Sequence, residues 1–337
     1  MVELYVSWVK GLPQDKEALR ILRENNLGVE MSNIDGQVEM VKDAGVKFSS
    51  HTPGLNLTLN LAKPNFIDVF DNEQGKRLLY VVKNSDAPVV SFHLGYSAEK
   101  IYKMANYPNV PDPETIIANR NYLLRIISTR LTILADLFGN FDKQVLIESL
   151  DYSRERPVLW EIEPKDGEAA ANKELIQKVI REYGTNAGIL YVTEPNFIKE
   201  VFKKCDYYYS ESPIGFLFDV SHVFVSADAK IHNHKFLGVI EDYFQIILNA
   251  VGTRTKELHL SVPNDDGKNG YSHYHHKFTP GNYLNDWIID ITKIVFEQTK
   301  KFLQIIVLEF NTGLSPTEHV KLMLKQAEYV IKQLNPY

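Results

Sequence analysis

Eight short apolar runs, each followed by a stretch of helical spacing, constrain this 337-residue chain more than any other feature. The runs are Glu3–Trp8, Leu27–Met31, Val46–His51, Pro88–His93, Gln144–Ser149, Ile214–Val220, Lys256–Ser261 and Leu303–Glu309. Ala87-Pro88-Val89-Val90-Ser91-Phe92 and Gln304-Ile305-Ile306-Val307-Leu308 are almost wholly apolar, the pattern of parallel strands buried on both faces. Between the runs, Pro111-Asp112-Pro113-Glu114 opens a helical pattern through Phe138, and Ser315 and Pro316 stand as N-cap and first-turn proline of the last helix. Eight strand–helix units predict a closed (β/α)8 TIM barrel of the α/β class. An open doubly wound sheet is the alternative, but no Gly-rich phosphate loop follows the first strand.

A barrel with insertions spends well over about 250 residues as one domain, so residues 1–337 are expected to form a single domain. Residues 151–187, between the fifth and sixth strands, are expected as an insertion over the barrel mouth, where such loops vary most freely. The lone cysteine, Cys205, excludes an intramolecular disulfide and fits a cytoplasmic protein. No apolar run approaches the ~18 residues of a membrane span. A net charge of −6 supplies no general basic field, so nucleic acid is a less favoured partner than a peptide or a small molecule. Oligomeric state is not legible.

The residue types at the strand ends carry the chemistry. The third run ends at His51, the fourth at His93 and the fifth near Glu148. The sixth ends at Asp219 with His222 three residues on, the seventh contains His259, and the eighth ends at Glu309. Tyr271-Ser272-His273-Tyr274-His275-His276 follows the seventh. In a parallel barrel these ends converge on one mouth. Six strands would then deliver imidazoles and carboxylates to one small volume, a donor set for divalent metal without thiolate. Buried acids at Glu148 and Glu309 are costly unless paired, and cations would remove that cost. Each residue alone also reads as an ordinary hydrogen-bonded strand-end or loop side chain. Tyr271–His276 also reads as a solvated loop, and His232, His234 and His319 read as surface residues. Tyr96, Asn56 and Trp160 are weaker candidates for substrate contact.

The order of these residues resembles the xylose-isomerase-like barrel superfamily. His51-Thr52-Pro53-Gly54-Leu55-Asn56-Leu57, Asp219-Val220-Ser221-His222 and His275-His276-Lys277-Phe278-Thr279-Pro280-Gly281-Asn282 resemble endonuclease IV, the family 2 AP endonucleases. Val90-Ser91-Phe92-His93-Leu94-Gly95-Tyr96-Ser97, Asp219 through Ala227, and Leu308 through Pro316 are similar to the multinuclear non-heme iron-dependent oxidases (MNIO). The resemblance implies metal ligands at His51, His93, Glu148, Asp219, His222, His259, His275 and Glu309, with Glu148, Asp219 and Glu309 central to catalysis. Both families usually offer an Asp where His273 stands. Either His273 replaces it, or the register slips and Tyr271 or Asp266 takes the place. Two or three divalent ions are implied, iron by the resemblance, with zinc and manganese equally compatible with the donors. The functions implied are, in order, an iron-dependent oxidase acting on peptide cysteines, a phosphodiester hydrolase, and a sugar (phosphate) isomerase or epimerase. A non-enzymatic metal-binding scaffold fits an open mouth poorly.

Overall fold

The computed structural model describes residues 2–31, 38–51, 61, 66–71, 73–94, 120–149, 154, 193–207, 209, 214–232, 234 and 236–334. The expected insertion at 151–187 falls outside these, apart from Arg154, as do Asn56, Tyr96 and Trp160.

Eight parallel strands close into a barrel. They are β1 (Glu3–Ser7), β2 (Gly28–Met31), β3 (Phe48–His51), β4 (Val89–His93), β5 (Gln144–Glu148), β6 (Ile214–Asp219), β7 (Thr255–Leu260) and β10 (Ile305–Leu308). All eight predicted runs are present. β1 pairs with β2 on one side and with β10 on the other, Tyr5 lying opposite both Gly28 and Val307, so the sheet has no free edge. The described helices around it are α1 (Lys16–Glu24), α2 (Val38–Asp43), α3 (Glu73–Asn84), α4 (Arg120–Gly139), α5 (Pro195–Asp206), α6 (Val220–His232), α7 (Ile240–Val251), α8 (Tyr283–Thr299) and α9 (Pro316–Leu334).

Strand alternation sorts the core into two parts. One set of faces packs outward beneath the helices in a large apolar layer. The other set fills the barrel floor with Tyr5, Ala87, Val89, Leu146, Leu217, Ile305 and Val307. Gly28 makes room for the Tyr5 ring: a Cβ at position 28 would lie 2.3 Å from it. Two residues beyond this floor, on the same faces, the side chains become ionisable. Leu146 is followed by Glu148, Leu217 by Asp219 and Val307 by Glu309. The apolar floor thus carries the polar cup above it.

Three features depart from the sequence reading. First, the segment after β7 folds as an antiparallel hairpin of β8 (Val262–Asp265) and β9 (Tyr271–His276) rather than as a loop. Its alternation of aromatic and polar residues lacks an apolar face, which hid the strand. Second, His319 is fully buried rather than on the surface. Its Nε2 lies 3.0 Å from the Ser7 carbonyl and its Nδ1 2.9 Å from Thr312 Oγ1. It therefore fastens α9 to β1. His232 and His234 are exposed, as expected. Third, the Ser315 hydroxyl donates to Glu318 at 2.6 Å instead of capping α9. Asp15 supplies the cap: its Oδ2 accepts from Thr317 N and Oγ1 at 3.1 and 2.8 Å. Its Oδ1 meanwhile accepts from Glu17 N and Ala18 N in α1. One carboxylate caps the first and last helices together.

Candidate metal centre

The closed barrel brings all nine predicted donors into one continuous cluster. The adjacent strands β4 and β5 set His93 beside Glu148, and β6 and β7 set Asp219 beside His259. Glu148 divides its oxygens between two histidine groups. Oε2 lies 3.2 Å from His93 Nε2 and 3.5 Å from His51 Nε2, while Oε1 lies 3.0 Å from His222 Nδ1. Glu309 is placed in the same way. Its Oε2 meets His259 Nδ1 at 2.9 Å and its Oε1 meets His275 Nε2 at 3.3 Å. Asp219 Oδ2 lies 4.0 Å from His259 Nδ1. On the hairpin side, His273 Nε2 is 3.0 Å from His222 Nε2 and 2.6 Å from His275 Nε2.

The hairpin settles the register after β7. His273 and His275 share the face of β9 that meets His222. Tyr271 instead packs its ring on Phe224, and Asp266 accepts from Asn264 Nδ2 at 2.5 Å. Of these three residues, His273 is the one that meets the cluster histidines His222 and His275.

Partners on the far side of the rings fix several imidazoles. His51 Nδ1 lies 3.0 Å from Ser91 Oγ, His275 Nδ1 lies 3.1 Å from Ser261 Oγ, and His222 Nδ1 lies 3.1 Å from the Ser149 carbonyl. Such partners set ring orientation at metal sites. Burial is graded. Glu148, Asp219, His222 and His259 are sealed, whereas the side chains of His93, His275 and Glu309 keep 22%, 18% and 26% of their surface open. Access is from the side of those three.

The electrostatics follow from this crowding. Burial acts to raise Glu148, but His222 and His93 outweigh it and hold the carboxyl well below its usual range. Glu309 behaves likewise, burial being overcome by His275 and His259. For Asp219 burial wins, and its pKa rises. Burial depresses His51 to about 4. It also depresses His273, helped by His275 and His222. Neutral imidazoles with converging lone pairs are metal donors rather than cations.

These residues fit a metal cluster. Asp219 Oδ2 and Glu148 Oε2 are buried and accept no hydrogen bond among the described residues. The Nε2 atoms of His222 and His275 both converge on His273 Nε2. Among the nine donors, four groups of three have ligand atoms within 4.8 Å of one another, and a fifth group adds Glu30 to His51 and His259. Six imidazoles, three carboxylates and no thiolate suit iron, zinc or manganese. Cys205 is far from this chemistry, buried in α5 with Sγ 3.6 Å from the Ser128 carbonyl.

Two buried acids escaped the sequence reading. Glu30 Oε1 lies 3.3 Å from His259 Nε2, and Glu257 Oε1 lies 3.4 Å from the same nitrogen. A signal existed for Glu257: it precedes His259 by two residues, so both share one strand face. Glu30 sits between Val29 and Met31, and the same cost of a buried acid applied there.

No protein-family model and no curated protein matches this sequence. Solved structures match it in fold. A D-tagatose 3-epimerase-like protein superposes with a TM-score of 0.56 at 16% identity, covering 99% of this chain and 100% of its own. A xylose isomerase-like TIM barrel protein from Mycobacterium smegmatis, in complex with magnesium, gives 0.53 at 11% identity, covering 99% of this chain and 98% of its own. D-psicose 3-epimerase from Clostridium cellulolyticum H10, solved with D-tagatose, gives 0.52 at 12%, with 99% and 98% covered. The chain shares the TIM-barrel fold of these proteins.

Proposed function

We propose that this chain is a metalloenzyme that holds two or three divalent ions in the barrel mouth and acts as an oxidase of the multinuclear iron type. The observation carrying this reading is the placement of Glu148 and Glu309. Glu309 faces His259 Nδ1 with one oxygen and His275 Nε2 with the other, as a carboxylate that links neighbouring cations would, and Glu148 lies between His93 and His51 on one side and His222 Nδ1 on the other. His51, His93 and Glu148 would hold one ion. Asp219, His259 and Glu309 would hold a second, and His222, His273 and His275 a third.

Bound ions of this kind polarise a substrate donor and activate water or dioxygen. The chain's own part is geometric and electrostatic. Ser91, Ser261 and the Ser149 carbonyl hold rings in place, and the apolar floor excludes water from below. The more open His93, His275 and Glu309 define where substrate enters. By the resemblance in sequence that substrate is a cysteine-bearing peptide and the metal is iron.

A second reading, sugar isomerisation or epimerisation, is the one that the structural neighbours favour. Several solved structures of this fold are sugar epimerases, and Glu148, Asp219, His259 and Glu309 would suffice for one ion. The two glutamates would then shuttle a proton on a sugar-like substrate. Five further imidazoles have no task in that chemistry, which is why it ranks second. Elemental analysis of protein purified without oxygen separates the two. Two or three irons per chain, with oxygen uptake in the presence of a thiol peptide, are expected. A single ion, with ketose epimerisation restored by manganese or magnesium, would replace this reading with the second.

A further inference from the structure

Beneath the cluster, the barrel holds a pair of acids that no predicted ligand role uses. Glu257 lies two residues before His259 on β7, and Glu30 projects from β2 across the barrel. Both are almost fully buried. His259 has its two nitrogens committed in opposite directions. Nδ1 faces Glu309 and Asp219 in the cup, and Nε2 faces Glu257 and Glu30 below it. Nδ1 is hydrogen-bond aligned with Glu309 Oε2 at 2.9 Å, and of the two Nε2 contacts the one to Glu257, at 3.4 Å, is aligned. Glu30 Oε1 lies closer, at 3.3 Å, yet accepts no hydrogen bond among the described residues.

A single imidazole cannot turn both nitrogens upward. With an ion in the cup in place of the Nδ1 proton, the carboxylate below would keep the remaining proton on Nε2 and leave the Nδ1 lone pair facing the ion. A carboxylate behind a ligating histidine fixes tautomer and ring angle and strengthens the donor. Burying two acids here without such a return would cost several kcal/mol each.

We propose that Glu257 is a positioning residue for the metal centre: it accepts the Nε2–H of His259 and thereby presents Nδ1 to the ion shared with Asp219 and Glu309, with Glu30 adding negative charge behind the ring. This rests on the multi-ion reading above. It concerns how one ligand is held, which that reading leaves unassigned.

The test is titration of metal-free protein with cobalt(II), followed by its visible absorption bands, in wild type and in the variants Glu257→Gln, Glu257→Leu and Glu30→Gln. Far-ultraviolet circular dichroism and a thermal melt establish folding. Glu257→Gln keeps an acceptor oxygen but removes the charge. It is expected to bind cobalt with altered bands and about 10-fold lower affinity. Glu257→Leu, which removes the acceptor too, is expected to lose up to ~100-fold. Glu30→Gln should give a smaller shift than Glu257→Gln.

Wild-type bands and affinity in both Glu257 variants overturn the proposal while leaving the metal centre standing. A larger effect at Glu30 than at Glu257 also overturns it, by moving the anchoring role to the other acid. A wild-type protein that takes up no cobalt, iron, zinc or manganese removes the centre itself, and this inference with it. If Glu257→Leu does not fold, Glu257→Gln alone decides.

Discussion

The backbone N–H of His222 donates to Asp219 Oδ1 at 2.7 Å, so the acid that ends β6 also tethers the first turn of α6. One carboxylate oxygen serves the helix start and the other faces the cup without a hydrogen bond. The two roles separate by mutation. Asp219→Asn keeps an acceptor for His222 N but loses the charge. It should fold normally and lose the central ion, as read by elemental analysis and a thermal melt. Asp219→Ala should lose the ion and about 1 kcal/mol of stability besides. Full metal content in Asp219→Asn would remove this residue from the ligand set.

Glu148 and His273 should differ in how much metal they control. Glu148 touches two histidine groups, whereas His273 sits in one, with His222 and His275. Glu148→Gln is expected to empty most of the cluster, and His273→Ala to remove about one ion and leave the rest. Metal counts on the two purified variants check this. Equal losses would mean that the hairpin histidines do not form a separable site.

The sequence reading was strongest where burial and alternation speak together. Glu148 and Asp219 each end an apolar strand, and a costly group at such a place marks its own purpose. The hairpin was less legible because Tyr271, His273 and His275 alternate with polar residues and give β9 no apolar face. His319 was missed because a helix residue's burial depends on what packs over it. Here that is β1, more than three hundred residues earlier in the chain. Asp15 was missed as a cap for the same reason: its second helix, α9, lies at the other end of the sequence.

Lys230 offers a pH test away from the cup. Burial in α6 lowers its pKa to about 8, opposed by Glu194. Its ammonium lies 3.3 Å from the Thr193 carbonyl and 5.7 Å from the Tyr243 ring. A lysine with a depressed folded pKa costs stability below that pKa. The cost fades as pH rises from about 8 toward the unfolded value of 10.5. Lys230→Met keeps the apolar stem, and Tyr243 still donates to Thr193 at 2.9 Å. Below pH 8 the variant should be more stable by about 2 kcal/mol, after allowing for the lost contacts. That advantage should vanish above pH 10.5. Denaturant unfolding at pH 7 and pH 10.5 measures it, and a constant difference would reject the assignment.

Arg154 reaches Asp228 through two nitrogens, with Nε 2.7 Å from Oδ2. The pair lies against Gly270, whose φ is +81° and where a Cβ would stand 2.4 Å from Arg154 Nε. Asp228→Ala should lower stability by about 1–3 kcal/mol by leaving a half-buried guanidinium unpaired. Gly270→Ala should do the same by displacing the pair and straining the turn. The double variant should cost less than the sum. Strict additivity in thermal melts would show that the glycine acts independently of the ion pair.

The seam between β1 and β10, and the helices that Asp15 joins over it, have a consequence in time. Glu309 directly follows β10, and His51, which stands in the same ring of donors, is synthesised more than 250 positions earlier. The ring cannot close until Glu309 has been made and β10 has paired with β1. Any ion that it carries must therefore be delivered to a finished barrel from outside, through the rim at His93, His275 and Glu309.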